Sequence, residues 1–165
     1  VEIGECANEW RGFKKWSKDQ EPRTFIRINC PDCLEKGFTP YNRPAQSEYY
    51  CKTCAGYLTI DTNPLLEEYV DGLHFVLSIG LEHKFDEWVD VLAIEDIRYS
   101  DIITQFRTLL QTDWEIYEEG DGGYYHEGLE LYIGLGKMLG FSWEQIEQAY
   151  MEKNAINHQR QNEGY

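Results

Sequence analysis

The chain has 165 residues, enough for one ordinary domain carrying a small appended module. With 42% hydrophobic and 15% aromatic residues it reads as a folded core rather than a disordered tail, and no apolar run reaches the roughly 18 residues that span a bilayer. The formal net charge of −15 works against nonspecific attachment to a phosphate backbone, so neither nucleic acid nor membrane is the expected partner.

In chain order, Glu2 to about Ser17 reads as a helix, with Glu2, Glu5 and Asn8 three apart on one side. The chain opens without Met and already inside this helical pattern, so sequence upstream of it is expected. "KDQEPRTFIRINC" is a linker running into a strand, and 24–60 form a module with strand-like "TFIRIN", "SEYYC" and "GYLTI". Charge sets this region apart. Arg11 to Thr59 hold nine Lys/Arg against five Asp/Glu, while the rest of the chain carries −19.

"DTNPLLEEYV" restarts a helix, with Asn63 as N-cap and Pro64 at the first helical position. It continues through "VDGLHFVLSIGLE" and is apolar nearly all round, which predicts burial among other helices. "RYSDIITQFRTLLQTDW" offers Ser100 as the cap of an amphipathic helix, followed by a Gly-rich stop. "YYHEGLELYIGLGKMLG" is a further helix ending at Gly140 in the C′ position. "FSWEQIEQAYMEKNAINHQRQ" opens with Ser142 and Gln145 in capping-box register. The expected fold class is all-α, a helical bundle with a small inserted four-cysteine zinc ribbon of β character. Residues 1–20 and 61–165 make the bundle and 21–60 the insert.

Cys30, Cys33, Cys51 and Cys54 form "CPDC" and "CKTC", two C-x-x-C knuckles separated by 17 residues. That spacing suits a tetrahedral, structural Zn²⁺ site, against which stand two disulfides or a redox pair. Four thiolates leave no open catalytic position, and unoxidised thiols imply a reducing, cytoplasmic setting. Cys6, the fifth, reads as a small core residue.

Two acid pairs stand out. Glu2 and Glu5 on the first helix, and Glu68 and Asp71 on the second long helix, are each three apart and so share a helix face. If both faces converge, four carboxylates meet and repel unless cations lie between them. Oxygen ligands alone favour Mg²⁺ (or Mn²⁺) over Zn²⁺, and Mg²⁺ so held completes its shell with waters and substrate phosphates. The competing reading is a pair of solvated acidic helix faces. His74, three residues beyond Asp71, reads as a satisfied core histidine rather than a ligand.

"EIGECANEWRGFKKWS", "LLEEYVDGLHFVLSIGLE" and "YMEKNAINHQRQNEGY" together resemble the dimeric all-α dUTPase family, within the MazG-like nucleotide pyrophosphohydrolases. The family pattern is an E-x-x-E helix, an E-x-x-D helix and a late K-N-x-x-N-x-x-R-Q-x-x-G-Y. Here these are Glu2/Glu5, Glu68/Asp71, and Lys153 through Asn157, Arg160 and Tyr165. The resemblance implies a homodimer that hydrolyses dUTP to dUMP and pyrophosphate. In it Glu2, Glu5, Glu68 and Asp71 hold Mg²⁺, Glu5 deprotonates the attacking water, and Lys153, Asn157, Arg160 and Tyr165 bind substrate. Asn8, Trp10 and Trp16 are candidates beside the nucleoside, the two indoles competing with simple core packing. The inserted ribbon departs from the family's shorter linker, and the family's N-terminal base-holding helix is not among these residues. Related substrates (dCTP or a modified nucleotide) and a non-enzymatic zinc-ribbon adaptor remain the alternatives.

Overall fold

The computed structural model describes residues 1–43, 50–90, 93–116, 124–162 and 164. It divides into two compact units, Val1–Pro22 with Leu65–Tyr165, and Arg23–Pro64.

The first unit is helical. Its elements are α1 (Glu2–Trp10), α3 (Pro64–Glu82), a 3₁₀ turn (Phe85–Glu87), α4 (Ile102–Gln111), α5 (Tyr125–Met138) and α6 (Trp143–Asn162). The second unit holds β1 (Ile26–Asn29), α2 (Pro31–Glu35) and β2 (Thr59–Thr62). The protein is therefore mainly helical with one small antiparallel sheet, in the expected class, and no helix of the described residues is long and apolar enough to cross a membrane.

Three local expectations need correction. The first helix does not reach Ser17; it stops at Arg11, whose backbone is left-handed (φ 65°). Arg11 is buried, donates to the Asp19 carbonyl at 2.8 and 3.2 Å and pairs with the Asp19 carboxylate at 3.0 Å. That contact folds 12–19 back, and Gly12 permits it, since a Cβ there would run into the Trp10 ring. The cap of α4 is Asp101, not Ser100: its carboxylate accepts from the Thr104 backbone at 2.8 Å and the Thr104 hydroxyl at 2.7 Å. And α3 is not covered all round, because Phe75 and Leu81 remain 58% and 65% exposed.

Elsewhere the local signals match the elements. Pro64 opens α3, and α5 ends before Gly140 (φ 88°), where the Phe141 N–H reaches back to the Gly136 carbonyl at 3.0 Å. Ser142 and Gln145 form the capping box of α6, at 2.9 and 3.3 Å.

The helical core gathers Cys6, Leu65, Tyr69, Leu73, Leu109, Leu131 and Tyr132, among others. Two of its polar side chains show how such groups are bonded within it. Gln105, fully buried on α4, donates to the carbonyls of Ile97 (2.8 Å) and Leu131 (2.7 Å) and accepts from the Tyr99 N–H (2.8 Å). The Tyr125 hydroxyl donates to the Val76 carbonyl at 3.1 Å, a close approach that the small residue Gly80 allows.

In the second unit β1 runs antiparallel to β2 with Ile28 opposite Ile60, and Arg27 pairs with Asp61 at 2.7 Å. The strand expected at "SEYYC" falls largely outside the described residues. Among the described residues the buried interior of this unit is four cysteines and Leu58, with Phe38 and Ile60 packed against them.

Candidate functional site

Two clusters of candidate metal ligands exist among the described residues, one in each unit.

The helical unit brings together Glu2, Glu5 and Glu68, whose carboxylate oxygens lie within 4.8 Å of one another. Glu2 and Glu5 are on the first turns of α1, and Glu68 is on α3 beside the buried Tyr69, so both helices aim acids at one place. Glu2 and Glu68 are half-buried and Glu5 is exposed. Burial raises the Glu2 carboxyl above its ordinary range, helped by the hydrogen bond and charge of Glu5. Burial also raises Glu68, and the charges of Glu5, Asp71, Glu2 and Glu9 add to it. Such a cluster is unfavourable as three bare carboxylates. It suits a hard cation, since six oxygens around Mg²⁺ stand about 3.0 to 4.2 Å apart and small side-chain rotations bring these acids into that range. Glu9 is a further acid whose charge reaches Glu68 without joining the cluster. It lies four residues after Glu5, a spacing that returns to the same face.

Asp71 is not one of the three. Its Oδ2 is held 2.7 Å from Lys153 Nζ, a contact between α3 and α6. One turn further along each helix, His74 stacks on Tyr150, ring centroids 3.9 Å apart and 12° from parallel. His74 Nε2 is buried with no hydrogen-bond partner among the described residues, and burial lowers the imidazole's pKa, so the ring is packed here as a neutral group rather than joining the acids. Asn157 (half-buried) and Arg160 (exposed) follow Lys153 by four and seven residues on α6, about 6 and 10 Å along the helix. Tyr165 lies outside the described residues.

The nucleoside candidates separate. The Asn8 side-chain oxygen accepts from Lys14 Nζ. Trp10 packs on Phe106 at 5.7 Å and lines an apolar cavity of about 500 Å³ with Ala7, Phe13 and Arg107. Trp16 is 77% exposed, its ring against the edge of Phe13 at 5.8 Å. Cys6 is wholly buried core.

In the second unit all four cysteine sulfurs lie within 4.8 Å of one another, with Cys30–Cys51 at 3.7 Å and Cys33–Cys54 at 3.6 Å. These separations are far beyond a disulfide bond, and all four thiols are free. A tetrahedron with metal–sulfur bonds of about 2.3 Å has edges of about 3.8 Å, so four sulfurs spaced this way can bind a metal such as zinc. Left-handed backbone at Gly37 (φ 74°) and Gly56 (φ 83°) turns the knuckle loops, and the Leu58 N–H donates to Cys54 Sγ at 3.2 Å. Burial pushes Cys33 up to about 12, whereas the backbone N–H of Cys54 brings Cys51 down to about 6.

The described residues thus form an all-α protein with a cluster of three carboxylates and a module of four free thiols. Comparison with family models then matches residues 55–165 to the family described as dUTPase. The chain belongs to the dUTPase family, a family of nucleotide pyrophosphohydrolases, and a nucleotide is its substrate. The matched span holds Glu68, Asp71, Lys153, Asn157 and Arg160, whereas Glu2, Glu5 and the two cysteines of the first knuckle precede it, as do Cys51 and Cys54. Neither the curated proteins nor the solved structures compared with the chain contain a match.

Proposed function

We propose that this protein hydrolyses dUTP to dUMP and pyrophosphate with Mg²⁺ or Mn²⁺. The observation that carries the reading is the meeting of Glu2, Glu5 and Glu68 in a chain of the dUTPase family. Glu2, Glu5, Glu68 and Asp71 are the residues that would hold the cation, which when bound neutralises charge on the phosphates. Glu5, the most exposed of the three clustered acids, orients a water and takes its proton as the water oxygen attacks the α-phosphorus. The bond from that phosphorus to the β-bridging oxygen breaks, and pyrophosphate leaves. Lys153 and Arg160 draw in the phosphate chain, and Asn157 lies between them on α6. Asn8 reads the base edge, Trp10 and Trp16 are the candidates beside the nucleoside, and Tyr165 is a substrate-binding residue by the family pattern. Pyrophosphate release from a panel of nucleoside triphosphates, with and without Mg²⁺, tests this directly. Turnover of dCTP or a modified nucleotide in preference to dUTP would move the substrate and keep the chemistry; no turnover of any would leave a zinc-ribbon adaptor.

The 21–60 insert is proposed to carry a structural Zn²⁺ on Cys30, Cys33, Cys51 and Cys54, in a protein of the reducing cytoplasm. Residues 1–20 and 61–165 then form the pyrophosphohydrolase domain. The exposed Phe75, Leu81 and Trp88 of that domain support a homodimer, since they leave apolar area for a second copy.

A further inference from the structure

Lys153 has two things to hold. Its ammonium sits 2.7 Å from Asp71 Oδ2, with the two side chains only 32% and 25% exposed. By its spacing Asp71 shares the α3 face of Glu68, and its charge is felt at both Glu68 and Glu2, yet it stands apart from the three clustered acids. The register is not accidental. Asp71 meets Lys153 while His74, three residues on, meets Tyr150, three residues back, so α3 and α6 run antiparallel here and the ring stack fixes where the ammonium arrives.

We propose that Lys153 is an internal counter-ion that competes with the catalytic cation for Asp71, and that a nucleotide phosphate draws it away. This rests on the dUTPase reading above and adds a coupling to it. A lysine ammonium is a compact charge on a flexible stem, so it exchanges one oxyanion for another without moving the helix. While it holds Asp71, one acid is withheld from the metal and part of the cluster's negative charge is offset. When phosphate takes the ammonium, Asp71 is released toward Glu68. Metal and nucleotide therefore bind with positive coupling, which linkage makes reciprocal.

The test is Mn²⁺ binding to nucleotide-free protein, followed by the paramagnetic signal of free Mn²⁺. Because a nucleotide's own phosphates ligate metal, the nucleotide-free affinity is the discriminating number. Lys153→Met is expected to bind Mn²⁺ about tenfold more tightly than wild type, and Lys153→Arg, which keeps the charge, to stay within about twofold of it. Equal or weaker affinity in Lys153→Met overturns the competition. Should that variant lose its helical signal or melt early, the wild-type chain supplies the answer. Labelling of the Lys153 amine by an acylating reagent, read by mass spectrometry, should rise several-fold on adding Mn²⁺ alone and fall again with a non-hydrolysable dUTP analogue. No rise with Mn²⁺ also overturns it. If no form takes up Mn²⁺ beyond what the analogue binds by itself, the metal reading itself fails, which is a different result from equal affinities.

Discussion

Tyr69 and Tyr132 exchange hydrogen bonds: the Tyr69 hydroxyl donates to the Tyr132 carbonyl at 3.1 Å, and the Tyr132 hydroxyl donates to the Tyr69 carbonyl at 2.8 Å. The rings stack 4.9 Å apart, and both residues are wholly buried. Tyr69 stands between Glu68 and Asp71, so this reciprocal pair clamps α3 onto α5 at the level of the acids. Gly72 makes the approach possible, because a Cβ there would collide with the Tyr132 hydroxyl.

Gly72→Ala should therefore destabilise the protein by about 1–3 kcal/mol, the usual cost of overpacking a core. For a chain of this size that is roughly 2–12 °C in melting temperature. Tyr132→Phe alone should cost about 0.5–1.5 kcal/mol through the lost hydrogen bond. Combined, the two should cost less than their sum, since the offending oxygen is gone, although the ring carbon that bore it stands 3.1 Å from the new Cβ. A double-mutant cycle by denaturant unfolding checks this; strict additivity would mean that Gly72 is not there to admit the hydroxyl.

Glu68→Gln and Glu5→Gln should each lower turnover by at least about a hundredfold, because each removes a charge needed at the cation. For Glu68 the metal-free stability should move the other way. Folding raises the Glu68 and Glu2 carboxyls, so the protonated forms are favoured in the native state. That favourable term is fully present below the ordinary 4.5 and is lost as pH rises through the raised native values. Metal-free Glu68→Gln should thus melt above wild type at neutral pH, and the advantage should fade as pH falls below the ordinary carboxylate value. Melting curves across pH, repeated with Mn²⁺, read this out. A metal-free variant that melts below wild type at pH 7 contradicts the repulsion argument.

What the sequence announced was the local part. Asn63-Pro64, Ser142/Gln145 and Gly140 signal helix ends through atoms at most five residues apart, and α3, α5 and α6 begin or end at those signals. The cysteine spacing likewise contains most of its own geometry. Contacts between distant segments were hidden. Arg11 ends α1 by reaching Asp19, and the bonds of Gln105 to Ile97 and Leu131 join segments that the amphipathic pattern of α4 does not relate. Spacing puts Glu68 and Asp71 on one face, but that Asp71 meets Lys153, 82 positions away, follows only from how α6 packs.

Purified protein should contain about one zinc per chain, bound by Cys30, Cys33, Cys51 and Cys54. Among the described residues the buried interior of the Arg23–Pro64 unit is four cysteines and Leu58, and a segment of roughly 40 residues usually needs a metal or disulfides to fold. Zinc removal by a chelator should therefore open 23–64 to proteases while most of the far-UV helical signal persists. Because burial favours the protonated thiols of Cys30 and Cys33, zinc must displace protons, and its retention should weaken as pH falls. A zinc-free preparation that resists proteolysis in 23–64 would falsify the assignment.

Selectivity for the base should turn on which end of the Asn8 amide is offered. Lys14 Nζ can only donate, so the atom facing it is the Asn8 oxygen, and the amide NH₂ is left as the group presented elsewhere. A donor suits the exocyclic oxygen of uracil and meets a second donor in the amino group of cytosine. Asn8 is exposed in the free protein, and once a bound base covers it a mismatch of this kind leaves polar groups unpaired and costs about 1–3 kcal/mol, a factor of roughly 5 to 150 in kcat/KM. Asn8→Ala should then reduce kcat/KM for dUTP about tenfold while changing that for dCTP much less. Asn8→Asp, which offers only acceptors, should narrow or invert the preference. Lys14→Met should erode discrimination as well, since the freed amide can flip, while leaving the metal affinity of the carboxylates in place. Equal losses for dUTP and dCTP in Asn8→Ala would assign Asn8 to holding α1 against Lys14 rather than to reading the base.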